Sequence, residues 1–219
     1  MHRKILFIFL AATMTSQAEI QMEPLSWNPR IFVFHHFLSD EECDHLKNLA
    51  ANYLQRSTVI DLNSSGDVYN NDRTSYGAFL PQNLNDPIVS AVEARISTVT
   101  LIPKENGESI QVLYYSVGGE YKPHHDYFDE NTVGGAQHAS RGGQRVASFL
   151  MYLNTPEGGG ETVFPRLNIK VKPKKGDALL FFDCRLDGKV DPNTFHGGAP
   201  VTRGEKWLAT KWLRQGIFR

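Results

Sequence analysis

Two histidines, one aspartate and one lysine carry the chemistry that can be read from this chain. His124 and Asp126 stand two residues apart in Tyr-Lys-Pro-His-His-Asp-Tyr (121–127). If that stretch is extended, the period of two sends both side chains to one face, within reach of a single ion. One imidazole and one carboxylate are two parts of the set of two histidines and a carboxylate that holds non-haem Fe(II) and leaves coordination positions open. His196, in Asn-Thr-Phe-His-Gly-Gly-Ala (193–199), is the candidate third ligand from a short expected strand. Ten residues on, Lys206 in Gly-Glu-Lys-Trp offers one fixed positive charge for an acidic co-substrate. Taken singly these are weak signals, since a histidine beside a strand is often a core or surface group and a lysine a solvated charge. Their order adds weight: the His-x-Asp pair, a long insert, a Gly-Gly-Glu-Thr turn, an apolar strand, then one His and one Lys. Lys206 also leads directly into Trp207 and Leu208, which suits burial beside an anion.

Stepping outward, these residues need strands to hold them. Arg-Ile-Phe-Val-Phe-His-His-Phe (30–37) is rich in strand formers, behind an extended lead-in at 24–29 where prolines disfavour helix. Ser39 and Glu42 form a capping box, so a helix is expected to about Leu54, with Cys43, Leu46, Leu49, Ala50 and Tyr53 at helical spacing. A second helix starts at Asp86 with Pro87 in the first position. Short strands are expected at 58–62, 110–116, 121–127, 145–153, 169–171, 178–182, 194–197 and 207–213, divided by Gly, Pro and Asn. Such regular short strands argue for a sandwich or barrel. The segment 70–78 reads as polar and mobile, 134–143 as a flexible loop, and 156–160 as a tight glycine-rich turn.

Composition narrows the class. The 219 residues suit one domain, and 41% hydrophobic content with 13 Phe, 8 Tyr and 3 Trp fills a core. Twenty-three basic residues against 24 acidic ones leave no broad basic surface, which makes nucleic acid an unsuitable primary partner. Residues 1–18 have a basic start (His2-Arg3-Lys4), an apolar run from Ile5 to Ala12 and a small-x-small site at Ser16-Gln17-Ala18. That is the pattern of a secretory signal, with a frayed apolar terminus as the alternative. It implies the secretory pathway: the endoplasmic reticulum lumen, or the periplasm in a bacterium. The run is too short to span a bilayer and nothing later resembles a span. Cys43 and Cys184 lack the paired spacing of a zinc site and read as buried thiols, with their pairing open.

The chain resembles the prolyl 4-hydroxylases, Fe(II)- and 2-oxoglutarate-dependent dioxygenases. The matching phrases include Gln-Val-Leu-Tyr-Tyr-Ser (111–116), Tyr-Lys-Pro-His-His-Asp-Tyr-Phe (121–128) and Gly-Gly-Gln-Arg-Val-Ala-Ser-Phe-Leu-Met-Tyr-Leu-Asn (142–154). They continue with Gly-Gly-Glu-Thr-Val-Phe-Pro (159–165), Lys-Lys-Gly-Asp-Ala-Leu-Leu-Phe (174–181) and the run from His196 to Trp212. The resemblance covers residues 24–215. It implies an α+β, mainly β fold, with a double-stranded β-helix (jelly-roll) core and a supporting N-terminal helical layer. It implies His124, Asp126 and His196 as iron ligands, and Lys206 as partner of the far carboxylate of 2-oxoglutarate. Tyr115 and Thr162 would help hold that co-substrate, although Tyr115 could equally be a half-buried strand tyrosine. Tyr121, Arg145 and Trp212 would line a peptide groove, where ordinary sheet packing is the alternative. The implied reaction is hydroxylation of peptidyl proline to 4-hydroxyproline with Fe(II), 2-oxoglutarate and O2, yielding succinate and CO2, with ascorbate as reductant. The implied partner is a proline-rich peptide or protein, as for procollagen-type enzymes, and segments 70–80 and 134–143 would close over it.

Two departures stand out. Relatives often carry Cys where this chain has Ala199, and His where it has Arg214. The second lies toward the substrate side and bears on peptide preference, not on iron chemistry. Competing readings are the same iron machinery acting on another residue, and a silent jelly-roll binding module, against which the complete ligand set and Lys206 argue.

Overall fold

The computed structural model describes residues 19–64 and 66–219, so the expected signal at 1–18 lies outside the described residues. β1 (Gln21–Trp27) and β2 (Arg30–His35) form an antiparallel hairpin. β1 occupies the stretch expected as a lead-in; it is an edge strand, where Pro24 removes no bond the sheet needs, and its pairing shifts there. α1 (Asp40–Ala51) begins at the expected capping box, with Ser39 and Glu42 each accepting the other's backbone N–H. It stops three residues short of Leu54. Three two-residue strands follow, β3 (Gln55–Arg56), β4 (Val59–Ile60) and β5 (Asp67–Val68), then β6 (Tyr76–Phe79). α2 (Pro87–Thr100) is capped by the Asp86 carboxylate, which accepts from the N–H groups of Ile88 and Val89.

The second half is mostly sheet, with one short α-helix and a 3-10 turn at Pro192–Thr194. β7 (Gln111–Tyr115), β8 (Tyr121–His124), α3 (Val133–Ala139) and β9 (Arg145–Tyr152) come first. Then come β10 (Gly158–Gly159), β11 (Thr162–Phe164), β12 (Ile169–Val171), β13 (Ala178–Phe181), β14 (His196–Gly198), β15 (Val201–Arg203) and β16 (Lys206–Arg214). Eight strands make the large sheet, in the order β1-β2-β13-β9-β16-β7-β6-β3. Four make a smaller one, β12-β11-β14-β8. All pairings are antiparallel, and the two sheets form the jelly roll.

Side-chain alternation divides the apolar residues between two layers. Phe32, Phe34, Val112, Phe149, Met151 and Ala209 point outward from the large sheet, to pack with Leu46, Val92 and Ile96 of α1 and α2. Ile31, Val33, Leu113, Leu150, Tyr152 and Leu208 point inward, to meet Phe164 and Val171 of the small sheet. The inward set of β16 is therefore Lys206, Leu208, Thr210, Trp212 and Arg214.

Several expectations are corrected. The segment 70–78 is not a mobile loop: Arg73 and Ser75 are buried, and Tyr76 opens β6 inside the large sheet. The loop expected at 134–143 contains α3, capped by Thr132, whose hydroxyl accepts from Gly135 N–H. The strand expected over 121–127 ends at His124, so Asp126 lies on the bend after it. Cys43 and Cys184 are both free and buried.

Candidate active site

The three proposed metal ligands converge at one end of the barrel. β8 and β14 are neighbours in the small sheet, and their register sets His124 opposite His196. The bend after His124 then turns Asp126 back between the two imidazoles. Asp126 Oδ1 lies 3.3 Å from His124 Nε2 and Oδ2 lies 3.8 Å from His196 Nε2. The donor atoms of the three residues all fall within 4.8 Å of one another. An octahedral ion with bonds of about 2.1 Å holds adjacent donors about 3 Å apart, so this set fits one ion after small adjustments.

Neighbouring groups aim these ligands. His124 Nδ1 donates to the Lys122 carbonyl at 2.9 Å, and His196 Nδ1 to the Thr194 carbonyl at 2.8 Å. Both bonds put the proton on Nδ1 and leave the Nε2 lone pair toward Asp126, the arrangement a metal-binding imidazole needs. Burial lowers the His196 pKa to about 4, so its ring is neutral and available near neutral pH. Asp126 Oδ2 accepts from Ser148 Oγ at 2.5 Å and from Trp212 Nε1 at 2.9 Å. Burial opposes its charge, but the imidazoles of His196 and His124 when protonated, and the Arg145 charge, act the other way and hold the carboxyl well below the usual range. Behind Ser148 sits Asp183, with no exposed surface, its Oδ2 3.0 Å from the same hydroxyl. Burial and the Asp126 charge push the Asp183 carboxyl well above the usual range. Ser148 has a single proton for the two carboxyl groups, so it can donate to Asp126 and still hydrogen-bond Asp183 only if Asp183 carries a proton.

Two spaces meet at this triad. A cleft of about 1250 Å³ runs past it, and a recess leads from it into the barrel. Arg73, Tyr121, His124, Asp126 and Trp212 line both. Lys206 lies in the recess, cross-strand from Tyr115, and is 2% exposed. No carboxylate lies within ion-pair distance of it among the described residues, and burial lowers its pKa to about 8. Its Nζ is 5.4 Å from the Tyr115 ring centre. Thr162 closes the recess, its hydroxyl 2.9 Å from that of Tyr152. A buried cation without an anion is costly to maintain. A dianionic oxo acid reaching from the triad to Lys206 would remove that cost.

The residues expected in the peptide groove do reach the cleft, and the polar ends of Arg145 and Trp212 are engaged within the protein. Tyr121 is stacked on His124, ring centres 3.6 Å apart, with the Arg73 guanidinium 4.9 Å above its other side. Trp212 is buried with its N–H on Asp126. Arg145 pairs with Glu108 through two contacts of 2.6 and 2.8 Å and stacks 3.9 Å over Trp212. Arg145 and Arg214 overcome the burial of Glu108 and keep it ionised, its pKa below the ordinary glutamate value.

Sequence reasoning missed Arg73, Glu108, Ser148 and Asp183. Ser148 left a signal, a lone polar residue inside the apolar run Val146–Tyr152. Asp183 left another, directly after the apolar residues 178–182.

Comparison with known proteins decides the family. A model of the 2OG-Fe(II) oxygenase superfamily matches residues 110–214. Prolyl 4-hydroxylase 1 of Arabidopsis thaliana is 48% identical over 210 residues, covering 90% of this chain and 72% of that one. The chain belongs to the prolyl 4-hydroxylase family of 2OG-Fe(II) oxygenases. Probable prolyl 4-hydroxylase 8 of the same plant is 45% identical, covering 88% of this chain and 71% of its own length. Among solved structures, the viral collagen prolyl hydroxylase of Paramecium Bursaria Chlorella virus-1, in its 2OG complex, superposes with a TM-score of 0.66 at 31% identity. That match covers 84% of this chain and 95% of the viral one. The prolyl 4-hydroxylase family uses Fe(II), 2-oxoglutarate and O2, and ascorbate is typical of it; this protein is a dioxygenase of that family. No helix among the described residues is long and apolar enough to cross a membrane.

Proposed function

We propose that this protein hydroxylates peptidyl proline to 4-hydroxyproline, with His124, Asp126 and His196 holding Fe(II). The observation that carries the reading is the buried, unpartnered Lys206 at the end of a recess that starts at the donor triad. Bound there with 2-oxoglutarate and O2, the iron supplies the oxidation, splitting the oxo acid into succinate and CO2 and giving one oxygen atom to the substrate. The chain's own groups do the positioning. Lys206 meets the far carboxylate as a point charge in a dry pocket, where a charge-assisted bond is strong. Tyr115 and Thr162 shape the walls, so the oxo acid lies in one orientation. Ser148 and Trp212 hold Asp126 against rotation, so that its free oxygen would stay aimed at the ion between the two imidazoles.

The cleft suits an extended, proline-rich peptide. Its wall presents the aromatic rings of Tyr127 and the exposed Phe79, the kind of surface that receives polyproline segments. Several of its charges are already matched: Glu108 with Arg145 and Arg214, and Asp72 with Lys122. The procollagen-type preference follows as the finer part of this reading, as does work in the secretory pathway from the pattern at 1–18.

The test is 2-oxoglutarate turnover by the iron-loaded enzyme, with and without a proline-rich peptide, followed by mass spectrometry. Peptide-stimulated turnover with one added oxygen on proline supports the proposal. Turnover with the oxygen on another residue moves the target, and no turnover with any peptide removes the enzymatic reading.

A further inference from the structure

Arg214 ends β16 on the same inward face as Lys206 and Trp212, yet it touches neither the metal donors nor the recess. It is 2% exposed; its Nε is buried and makes an ion pair without a hydrogen bond, while both Nη groups donate. Nε lies 2.7 Å from Glu108 Oε1 as an ion pair. Nη1 donates to the Gly143 carbonyl at 2.5 Å, and Nη1 and Nη2 both donate to the His138 carbonyl at 3.2 Å. Its face covers the Phe128 ring, 4.5 Å to the centre.

Those partners belong to two different bodies. Glu108 lies in the floor of the cleft, held by Arg145, which stacks on Trp212. His138 and Gly143 belong to the insert 129–143, which lines the cleft from above through Asn131, Gly135, Gln137 and His138. The His138 carbonyl is in the last turn of α3, where helix carbonyls lack partners of their own. On its far side the insert rests on the loop between β4 and β5. A side chain at Gly134 would strike the Asp61 and Ser64 carbonyls, and His138 Nε2 approaches Asp67 to 3.4 Å. The cleft is thus bridged. At its inner end the base of the bridge is held by the Gly216 N–H on the Gly142 carbonyl and by Arg141 on the Arg219 carbonyl, and Arg214 is the side chain that ties the end of α3 to the cleft residue Glu108.

We propose that Arg214 is a positioning residue that locks the insert 129–143 over the cleft, so that the peptide channel is assembled before substrate arrives. This rests on the peptide-hydroxylase reading above, but its structural half stands apart from it. Only arginine fits this role. An imidazole has two ring nitrogens and cannot meet a carboxylate and two carbonyls together, whereas a guanidinium carries five N–H groups in a fixed fork. Preassembly lowers the ordering cost of binding, so it acts on peptide affinity rather than on the oxidation step. Removing Arg214 leaves Glu108 paired to Arg145, so no buried charge is orphaned and the barrel retains its core.

The experiment uses the full iron-loaded enzyme with Arg214→Met and Arg214→Lys, read in two ways. The first is steady-state kinetics with a proline-rich peptide. Arg214→Met should raise the peptide KM about tenfold, equal to about 1.4 kcal/mol, with the 2-oxoglutarate KM within about twofold of wild type. Arg214→Lys keeps the charge but not the fork, and should fall between the two. The second is trypsin cleavage after Arg141, which needs no activity. Cleavage should be slow in wild type, faster in Arg214→Met, and slowed again by peptide. Equal cleavage of wild type and both variants overturns the lock, even if activity changes. Equal rises in both KM values overturn it too, since that is the mark of general loosening. If Arg214→Met does not fold, Arg214→Lys decides: unchanged cleavage and unchanged peptide KM sink the proposal. Failure of the hydroxylase reading alone would show as no turnover in wild type while the cleavage difference persists.

Discussion

Lys206 shows how much one buried charge controls. With its pKa near 8 in the empty recess, it is mostly protonated at neutral pH and mostly neutral above that value. Only the charged form binds the carboxylate, so the 2-oxoglutarate KM should be flat below about pH 8 and climb about tenfold per unit above it. Lys206→Ala should raise that KM roughly a hundredfold or more, since breaking a buried pair costs about 3–5 kcal/mol, and should remove the climb. Steady-state titration across pH reads both; a flat profile in wild type would mean another cation holds the carboxylate. The relay behind Asp126 makes a separate prediction. Ser148→Ala leaves Asp126 Oδ2 with Trp212 alone and should weaken Fe(II) binding about 10–100-fold. Asp183→Asn keeps a neutral donor to Ser148 and should leave Fe(II) binding near wild type. Anaerobic Fe(II) titration separates them. Equal losses in the two variants would mean that Asp183 is ionised.

At the scale of elements, the helices were legible because their starts are written locally, in Ser39 with Glu42 and in Asp86 with Pro87. The ligand strand was legible in type but not in length. Nothing in His-His-Asp-Tyr marks the bend after His124 that brings Asp126 between the histidines. The insert and segment 70–78 were misread for one shared reason: polar, glycine-bearing sequence says loop, and only tertiary partners such as Gln111 for Arg73 make it ordered. Gly134 tests the insert from its outer side. Gly134→Val would collide with Asp61 and Ser64 and lift α3, so the peptide KM should rise while the 2-oxoglutarate KM stays; a normal peptide KM would show that this contact does not shape the channel. At the opposite edge, His35 bridges Asp177 at 2.8 Å and Glu23 of β1 at 3.1 Å. Asp177 first, then Glu23, raises its pKa above the ordinary histidine value. Its contribution is therefore full below about pH 6.5 and is lost as pH rises through the folded-state pKa. Backbone hydrogen exchange in β1, corrected for intrinsic rates, should quicken over that window, and His35→Ala should abolish the change.

Across the whole molecule, the outer layer holds the sheet and the inner layer holds the chemistry. Phe149 and Met151 fix the strand from the helical side, and their neighbours Ser148, Leu150 and Tyr152 face the site. Ligands that bind only this folded arrangement stabilise it by mass action. Fe(II) with 2-oxoglutarate under anaerobic conditions should raise Tm by several degrees. The gain corresponds to about 2.7 kcal/mol at a hundredfold excess over Kd, and His196→Ala should forfeit most of it. Calorimetry measures the shift, and an unchanged Tm in wild type would argue against a single site shared by metal and oxo acid. The alternation that builds both layers was visible in the sequence as short apolar runs. Which inward positions would be polar was not, because that depends on strands distant in the chain.

The place of β16 has a consequence for how the chain is made. It follows the other described strands in the chain, yet it sits in the middle of the large sheet between β9 and β7. Until it emerges from the ribosome, the sheet exists as two halves, β1-β2-β13-β9 and β7-β6-β3, each with an unpaired edge over an apolar face. Such edges invite pairing with other chains. Until β16 joins the two halves, those edges are the most aggregation-exposed parts of the sheet, and the strand that seals them also delivers Lys206, Trp212 and Arg214. Solubility and competence thus arrive in a single event, so a chain stopped before Lys206 has neither.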